Sequence, residues 1–170
     1  CMGSHVSASP NHQTNRVTPI ETRADVAYFG TFGYELDLLK LSEEEKAEVR
    51  RQIAFMKEKR ELIQKGIFYR LKSPFEGNVT AWMIVSEDQK KALVGYYRVM
   101  QPVNIGFVRL KLKGLKEDTC YKVSGYDYDC YGDELMQVGM ILSDSASGVW
   151  KKGVNDKGDF LAKVFEIVAV

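Results

Sequence analysis

The spacing of apolar residues along the chain changes close to Gly66. Before this glycine, apolar positions recur at helical intervals in two segments, which predicts helices over Thr18–Phe29 and Ser42–Lys65. A short strand over Thr31–Leu36 is predicted between them. After Gly66 the period is two, and turn residues divide the apolar runs. The pattern therefore predicts helices around a single strand, followed by an antiparallel β domain.

Local signals mark where both predicted helices begin. Thr18 can cap the first helix, with Pro19 at its first position and Glu21 completing a capping box. Ser42 and Glu45 form the same pattern at the start of the second helix. The second helix has an acidic first turn, a basic end and a glycine after it, so we expect a solvated outer face and an apolar inner face. The predicted inner face carries Val49, Ile53, Met56 and Ile63.

The apolar runs after Gly66 are short and regularly spaced, which predicts a β-sandwich. Ser86–Lys91 is predicted to be the turn of a hairpin. The predicted strands are Val79–Val85, Ala92–Met100, Gly106–Leu112, Cys120–Val123, Glu134–Leu142 and Phe160–Val170. The predicted turns are Lys113–Gly114, Tyr131–Asp133, Ser147–Gly148 and Asp156–Gly158.

Two structural parts follow from this pattern, and the fold class is α+β by content. Residues 1–66 hold one strand and two helices, which cannot cover both faces of a parallel sheet. We therefore interpret them as the last piece of an incomplete α/β fold. Residues 67–170 have the length of an ordinary domain and are predicted to fold as the β-sandwich.

Composition narrows the possible functions. The 170 residues are 45% hydrophobic and 28% charged, which excludes disorder over most of the chain. Lys and Arg number 24 and Asp and Glu 23, so the net charge of +1 argues against nucleic acid as a partner. No apolar run is long enough to span a membrane. Three cysteines and no visible secretory signal favour a reducing, cytoplasmic setting.

Three sequence blocks resemble the C-terminal region of glycoside hydrolase family 36 α-galactosidases. They are Met2–Gln13, then Arg16–Pro19 with Thr22–Arg23, then Phe32–Asp37. The β part agrees more loosely, through Arg109–Leu110 with Gly114–Leu115, Tyr131–Gly132, and Leu135–Met136 with Gly139.

The resemblance implies the end of a (β/α)8 barrel followed by a C-terminal antiparallel β domain. Thr18–Phe29 would be helix seven, Thr31–Leu36 strand eight and Ser42–Lys65 helix eight, with the β domain after Gly66. It also implies a retaining enzyme that releases terminal α-galactose from melibiose- and raffinose-type sugars, needs no cofactor and forms a homo-oligomer.

Retaining hydrolysis requires two carboxyl groups about 5 Å apart. In the family these belong to a Lys-Trp-Asp motif and a Ser-Asp-Asn-Thr-Asp-like motif, and neither occurs in this chain. We therefore expect no catalytic residue here. The chain is interpreted as a C-terminal fragment, inactive alone, of such an α-galactosidase.

The loop near the start of the chain carries the first candidate site residues. The resemblance places Ser4, His5, Ser7 and Asn11 beside the mouth of the active site. They could shape the galactose pocket or orient an upstream group, and a set of loop-stabilising hydrogen bonds is an equal alternative. A metal site is not expected, because no Cys/His cluster has ligand spacing.

Two carboxylates at the end of the predicted strand are the other candidates. Glu35 and Asp37 are two residues apart, so they share a side of the strand and could contribute to the rim of the pocket. The favoured alternative is structural: Glu35 would pair with a cation such as Arg23, and Asp37 would cap the following turn.

A second hypothesis treats the chain as a non-catalytic carbohydrate-binding or structural β module. Its support is the tyrosine-rich stretch Tyr121–Tyr131, where Asp127 and Asp129 alternate with aromatic residues, together with Trp150. Ordinary surface packing is the favoured interpretation of these tyrosines.

Cys120 and Cys130 are expected to be free thiols, although a hairpin disulfide stays possible. A third possibility is an interaction module that dimerises through exposed edges.

Overall fold

The computed structural model describes residues 3–103, 108–142 and 159–170. The chain divides into two compact units, with the boundary between Gln64 and Lys65. The predicted mixture of helices and strands is confirmed. The elements that begin before the boundary are β1 (Val6–Ser7), α1 (Ile20–Ala27), β2 (Tyr34–Glu35), a short 3-10 helix (Leu38–Lys40) and α2 (Glu43–Lys65).

The two strands of the first unit run parallel. Val6 lies opposite Tyr34, and Ser7 lies opposite Glu35. Parallel neighbours need a crossover connection, and α1 provides it, so β1, α1 and β2 form one β-α-β unit. The carboxyl ends of both strands therefore point in the same direction, and the loops that follow them share one edge.

The predicted capping box of the long helix is confirmed. The Ser42 hydroxyl accepts a hydrogen bond from the Glu45 amide at 3.2 Å, and the Glu45 carboxylate accepts one from the Ser42 amide at 3.0 Å. The helix ends at Lys65, directly before Gly66, as its sequence signals indicated. Without the two hydrogen bonds of the capping box, the amides of Ser42 and Glu45 would be left without a partner at the start of the helix.

The predicted cap of the first helix is wrong. α1 begins at Ile20 with Pro19 in the N-cap position, and no side chain caps it. Thr18 belongs instead to the preceding loop, because its amide donates to the Ser9 hydroxyl at 3.2 Å and its carbonyl accepts from Arg23 Nε at 3.0 Å. Tertiary contacts of the loop outweigh the local capping signal.

The inner face of α2 is more polar than predicted. Val49 and Met56 are buried as expected, whereas Ile53 and Ile63 are only half-buried. Gln52 is 1% exposed and occupies the centre of the buried face. A buried amide requires hydrogen-bond partners, so this position signals a polar network inside the first unit.

The second unit is built on an antiparallel sheet, which confirms the predicted β domain. Among the described residues, six strands pair in the order β3-β4-β5-β10-β7-β8. Residues 86–90 connect the predicted hairpin, and a short ribbon of β6 and β9 lies outside the main sheet. The strands are β3 (Ile67–Lys72), β4 (Val79–Val85), β5 (Lys91–Arg98), β6 (Arg109–Leu110), β7 (Cys120–Val123), β8 (Asp129–Tyr131), β9 (Met140–Ile141) and β10 (Leu161–Ala169).

An apolar core covers one face of this sheet. Alternate residues of the strands point into it, as the period of two predicted. The opposite layer consists of the ribbon, a short helix and the connections between them. The residues that this opposite layer contributes to the core are Leu110, Leu112, Leu115, Leu135, Met140 and Leu142.

The strand predicted over Glu134–Leu142 is wrong in its first half. Residues Gly132–Gln137 form helix α3, and only Met140–Ile141 are extended. Asp133 accepts a hydrogen bond from the Glu134 amide at 2.7 Å, which satisfies a donor of the first turn. The left-handed backbone of Gly139, with φ of 90°, then separates the helix from β9.

Some predictions lie outside the described residues. These are Trp150, the turns at Ser147–Gly148 and Asp156–Gly158, and the first residues of the run Gly106–Leu112. Over the ranges that are described, no helix combines the length and the apolar character needed to cross a membrane.

Candidate functional site

The β1-α1-β2 unit separates its side chains onto two faces. Val6 is fully buried, and the Tyr34 hydroxyl donates to Gln52 of α2 at 2.9 Å, so this face packs against helices. Side chains alternate along a strand, and therefore His5, Ser7 and Glu35 point to the other face. Three of the predicted site residues are brought together in this way on the face away from α2.

The side chains of His5 and Glu35 lie within hydrogen-bond distance of each other on that face. The Nε2 atom of His5 lies 2.8 Å from Oε2 of Glu35, and the two side chains are 51% and 73% exposed. The expectation that Glu35 pairs with Arg23 is wrong. The guanidinium of Arg23 donates to the backbone oxygens of Thr18 and Ser7, on the helix side of the loop. The parallel register places residue 5 diagonally beside residue 35, which sequence spacing alone does not reveal.

Two other predicted residues are engaged in local structure. The Ser4 hydroxyl donates to the carbonyl of Ala27 at 2.7 Å, which ties the start of β1 to α1. Asn11 Oδ1 accepts from the amides of Gln13 and Thr14, both at 3.0 Å, and so organises the loop. These contacts are the loop-stabilising set that was the alternative for both residues.

Asp37 caps the turn that follows β2. Its Oδ1 atom accepts a hydrogen bond from the Leu39 amide at 3.0 Å, at the start of the 3-10 helix. This is the structural role that the sequence favoured for Asp37. Its carboxylate also lies 4.0 Å from the ammonium of Lys40.

A cavity of about 260 Å³ opens inside the loop between β1 and α1. We call it the loop cavity. Most of its lining residues have polar side chains, and they include two of the predicted site residues, Ser7 and Asn11. Sequence reasoning did not single out the others, although their hydroxyl, amide and guanidinium groups cluster within a short stretch. The lining residues are Ser7, Ala8, Ser9, Asn11, Gln13, Thr14, Arg16, Thr18 and Arg23.

A buried polar network lies on the helix side of the first unit. Gln52 accepts from the Tyr34 hydroxyl at 2.9 Å and donates to Glu48 at 2.9 Å. Burial, with Glu48 and Glu21 nearby, raises the pKa of Asp25 to about 7. Burial likewise raises the pKa of Tyr34 to about 12, with Glu48 adding to the shift. The sequence signal for this network was the position of Gln52 on the apolar face of α2.

The tyrosine-rich stretch of the β domain is partly committed to packing. The Tyr126 hydroxyl donates to the carbonyl of Ile141 at 2.5 Å, and burial raises its pKa. The ring of Tyr126 meets that of Tyr128 edge to face, with centroids 5.5 Å apart. Tyr128 itself is half-exposed.

The cysteines of the β domain are free thiols. Cys130 lies opposite Tyr121 in the β7–β8 register, so Cys120 and Cys130 project from opposite faces of the sheet. Burial raises the pKa of the Cys130 thiol to about 11, which keeps it protonated at neutral pH. In the part of the chain that is described, no group of three or more His, Cys, Asp or Glu side chains is arranged to hold a metal ion.

Comparison with protein families gives two matches that together span most of the chain. The family model described as Melibiase matches residues 1–66. The model of the glycosyl hydrolase family 36 C-terminal domain matches residues 79–167. The boundary between the two matched segments falls close to the boundary between the two compact units.

Characterised relatives are α-galactosidases. Alpha-galactosidase AgaA of Geobacillus stearothermophilus is 50% identical over 154 residues, which make up 88% of this chain and 21% of AgaA. Alpha-galactosidase Mel36A of Lactobacillus acidophilus is 40% identical over 169 residues, 99% of this chain and 21% of Mel36A. The chain thus spans about a fifth of the length of these relatives.

Solved structures agree with the sequence matches. A variant of AgaA in complex with raffinose superposes with a TM-score of 0.89 at 45% identity, covering 99% of this chain and 22% of the AgaA chain. The galactosidase domain of the α-galactosidase–sucrose kinase AgaSK superposes with a TM-score of 0.88 at 40% identity, over the same fractions of the two chains.

Proposed function

The chain belongs to glycoside hydrolase family 36, and on that premise we propose that it forms the C-terminal part of a retaining α-galactosidase. The whole enzyme would hydrolyse terminal α-D-galactosyl residues of raffinose- and melibiose-type oligosaccharides. The relatives named above are α-galactosidases, and one was solved with raffinose bound. The nucleophile and the acid/base would come from parts of the enzyme outside this chain.

The observation that carries the proposal is the parallel β1-α1-β2 unit. In a (β/α)8 barrel the helices cover the outside, and side chains on the other face of each strand point into the interior. His5, Ser7 and Glu35 lie on the face opposite the one that packs against helices. Active sites of such barrels are built at the carboxyl ends of the strands. In the proposed enzyme, His5 and Glu35 form part of the rim of the galactose pocket.

The second unit would act as a structural domain. Its sheet buries an extensive apolar core of its own, and its thiols are unpaired. Free cysteines suit a reducing compartment, which supports a cytoplasmic enzyme. Assembly of the whole enzyme as a homo-oligomer remains part of this proposal.

A chimera with a characterised relative tests the function. This chain replaces the corresponding fifth of AgaA from Geobacillus stearothermophilus, and release of galactose from p-nitrophenyl α-galactoside and from raffinose is measured. We expect the chimera to hydrolyse both substrates, and we expect neither this chain alone nor AgaA lacking the segment to do so. A chimera that folds and assembles like AgaA but releases no galactose would contradict the proposal.

A further inference from the structure

The two nitrogens of the His5 imidazole are in different situations. Nε2 lies 2.8 Å from Oε2 of Glu35, whereas Nδ1 has no hydrogen-bond partner among the residues that the structure describes. An ionised carboxylate can only accept a hydrogen bond, so this contact selects the form of the imidazole that carries its hydrogen on Nε2. In the neutral ring, Nδ1 is then a hydrogen-bond acceptor. Glu35 thereby leaves one defined acceptor available to a ligand.

Each member of this pair directly follows a residue that is anchored to a helix. The Ser4 hydroxyl, one residue before the imidazole, donates to the carbonyl of Ala27 in α1 at 2.7 Å. The Tyr34 hydroxyl, one residue before the carboxylate, donates to the buried amide of Gln52 in α2 at 2.9 Å. A site is positioned most accurately when regular elements hold it from behind. The imidazole and the carboxylate are therefore held in place before a ligand binds.

The position of the pair indicates the kind of ligand. His5 and Glu35 lie on the face of the β1-α1-β2 unit that points away from the helices, and Glu35 is the last residue of β2. Active sites of (β/α)8 barrels form at the carboxyl ends of the strands. The carboxylate beside the imidazole disfavours an anion, because two negative charges would lie close together. A sugar hydroxyl is neutral and can donate a hydrogen bond to Nδ1.

We propose that His5 is a substrate-binding residue whose Nδ1 atom accepts a hydrogen bond from a hydroxyl group of the α-galactoside, and that Glu35 is a positioning residue that acts through His5. This inference rests on the proposed function and deepens it, because it gives the two side chains of the pocket rim different roles. The hydroxyl can belong to the terminal galactosyl group or to the sugar that leaves it.

Substitutions of His5 in the AgaA chimera test the contact. His5→Gln keeps a donor for Glu35 but has no acceptor at the position of Nδ1. It should lower kcat/KM about tenfold for p-nitrophenyl α-galactoside, for raffinose or for both, as expected for one lost hydrogen bond. His5→Asn places its side-chain oxygen near the position of Nδ1 and should retain more activity than His5→Gln. His12→Gln, at the other histidine of the chain, is the exposed control and should change kcat/KM less than about twofold.

Changes in the substrate identify the hydroxyl. The same variants are assayed with each singly deoxygenated analogue of p-nitrophenyl α-galactoside. On the analogue that lacks the contacted hydroxyl, His5→Gln should cost less than about twofold, because the hydrogen bond is already missing. That result would assign the hydroxyl to the galactosyl group. A loss confined to raffinose would assign it to the leaving sugar, since the nitrophenyl group carries no hydroxyl.

A double-mutant cycle tests the positioning role of Glu35. Glu35→Gln should lower kcat/KM about tenfold when His5 is present, and less than about twofold in the His5→Gln background. A merely structural role of Glu35 would give the same loss in both backgrounds. Thermal unfolding of each chimera, followed by circular dichroism, shows that the compared proteins are folded.

Two results would overturn the proposal. The first is a folded His5→Gln chimera whose kcat/KM stays within about twofold on both p-nitrophenyl α-galactoside and raffinose. The second is an equal loss on every substrate, including all the deoxygenated analogues, which would mean that His5 contacts no hydroxyl. If His5→Gln does not fold, Glu35→Gln is assayed on the same substrates and the same two results decide. An unmodified chimera without activity contradicts the proposed function and this inference with it, whereas an active chimera that is indifferent to His5 contradicts this inference alone.

Discussion

The two units of the chain differ in the polar side chains that they bury: the β domain buries Arg98 at the end of β5, and the first unit buries Gln52 in α2. The β domain covers one face of its antiparallel sheet with a continuous apolar core. The first unit buries apolar residues as well, but it also encloses the amide of Gln52 and much of the Asp25 side chain. Apolar burial stabilises largely without regard to pH, whereas buried polar groups stabilise only when their partners and protonation states are right. The stability of the β domain should therefore depend less on pH than that of the first unit, which also carries the candidate site.

The two tryptophans allow the units to be followed separately. Trp82 and Trp150 both belong to the second unit, which begins at Lys65. The helical circular dichroism signal comes mainly from α1 and α2, which lie almost entirely in the first unit. Tryptophan fluorescence therefore reports unfolding of the β domain, and the helical signal reports unfolding of the first unit.

The largest effect is expected from a cavity in the β core. Ile167 is fully buried on β10, between β5 and β7. Ile167→Ala should lower the free energy of unfolding seen by fluorescence by about 3 kcal/mol, through lost apolar burial and the cavity left behind. Val168→Ala, at a 42% exposed position of the same strand, is the control and should cost far less. An equal loss for both variants would mean that strand propensity, not the core, stabilises this domain.

Substitution of a glycine should be costly in the β domain and nearly neutral in the first unit. A Cβ atom at Gly132 would lie 2.1 Å from the carbonyl oxygen of Lys116, whereas one at Gly33 would meet nothing within 4 Å. Gly132→Ala should destabilise the β domain by about 2 kcal/mol, since the obstructing atom is backbone. Gly33→Ala should change the helical transition by no more than about 0.5 kcal/mol. Chemical denaturation with both optical signals measures each change, and a tolerated Gly132→Ala would contradict the tight packing there.

The ease of prediction also differs between the units. Two apolar runs separated by the polar stretch Ser86–Lys91 identified the hairpin of β4 and β5, because strands that are buried on both faces appear in the sequence as continuous apolar runs. Short reciprocal contacts, such as the capping box of Ser42 and Glu45, were equally visible. The helix over Gly132–Gln137 was missed because a six-residue element offers too few turns to show its period.

The candidate site was harder to predict, because its contacts cross between strands. The sequence identified the residues His5 and Glu35, yet it assigned Glu35 to the wrong cation. The pairing of the two side chains depends on the parallel register of β1 and β2, which is set by packing against α1 and α2 rather than by local sequence. Arg23 of α1 likewise reaches the loop cavity through hydrogen bonds to the carbonyls of the loop, which join residues far apart in the sequence.

Of the two units, only the first should lose stability as the pH rises. An unperturbed aspartate has a pKa near 3.9, and burial raises that of Asp25 to about 7. The folded state therefore holds the proton more tightly than the unfolded state. This contribution is fully present below about pH 4 and is lost as the pH rises through about 7. Between about pH 5 and 7 the helical transition should lose roughly 1–2 kcal/mol, while the fluorescence transition should not share this loss.

Asp25→Asn identifies the group responsible. The amide keeps the shape of the protonated acid and does not titrate, so the pH dependence of the helical transition should become much flatter. Glu76→Gln removes an exposed carboxylate of the β domain and should leave that dependence unchanged. If Asp25→Asn unfolded with the same pH profile as the original chain, burial of Asp25 would not be the cause of the pH dependence.

The smallest effect on stability is expected at the candidate site itself. Both side chains of the His5–Glu35 pair are more than half exposed, and exposed polar pairs contribute little to stability. Glu35→Gln should shift neither unfolding transition by more than about 0.5 kcal/mol.

In the AgaA chimera, however, the same substitution should lower kcat/KM for release of galactose about tenfold or more, because Glu35 would help to shape the rim of the pocket. Glu43→Gln, at the exposed start of α2, should change neither quantity. A residue that served only stability would show the opposite pattern, with a loss of folding free energy and no loss of turnover once the protein is folded. Full activity of the Glu35→Gln chimera would therefore remove this pair from the proposed site and leave it as a surface contact between two strands.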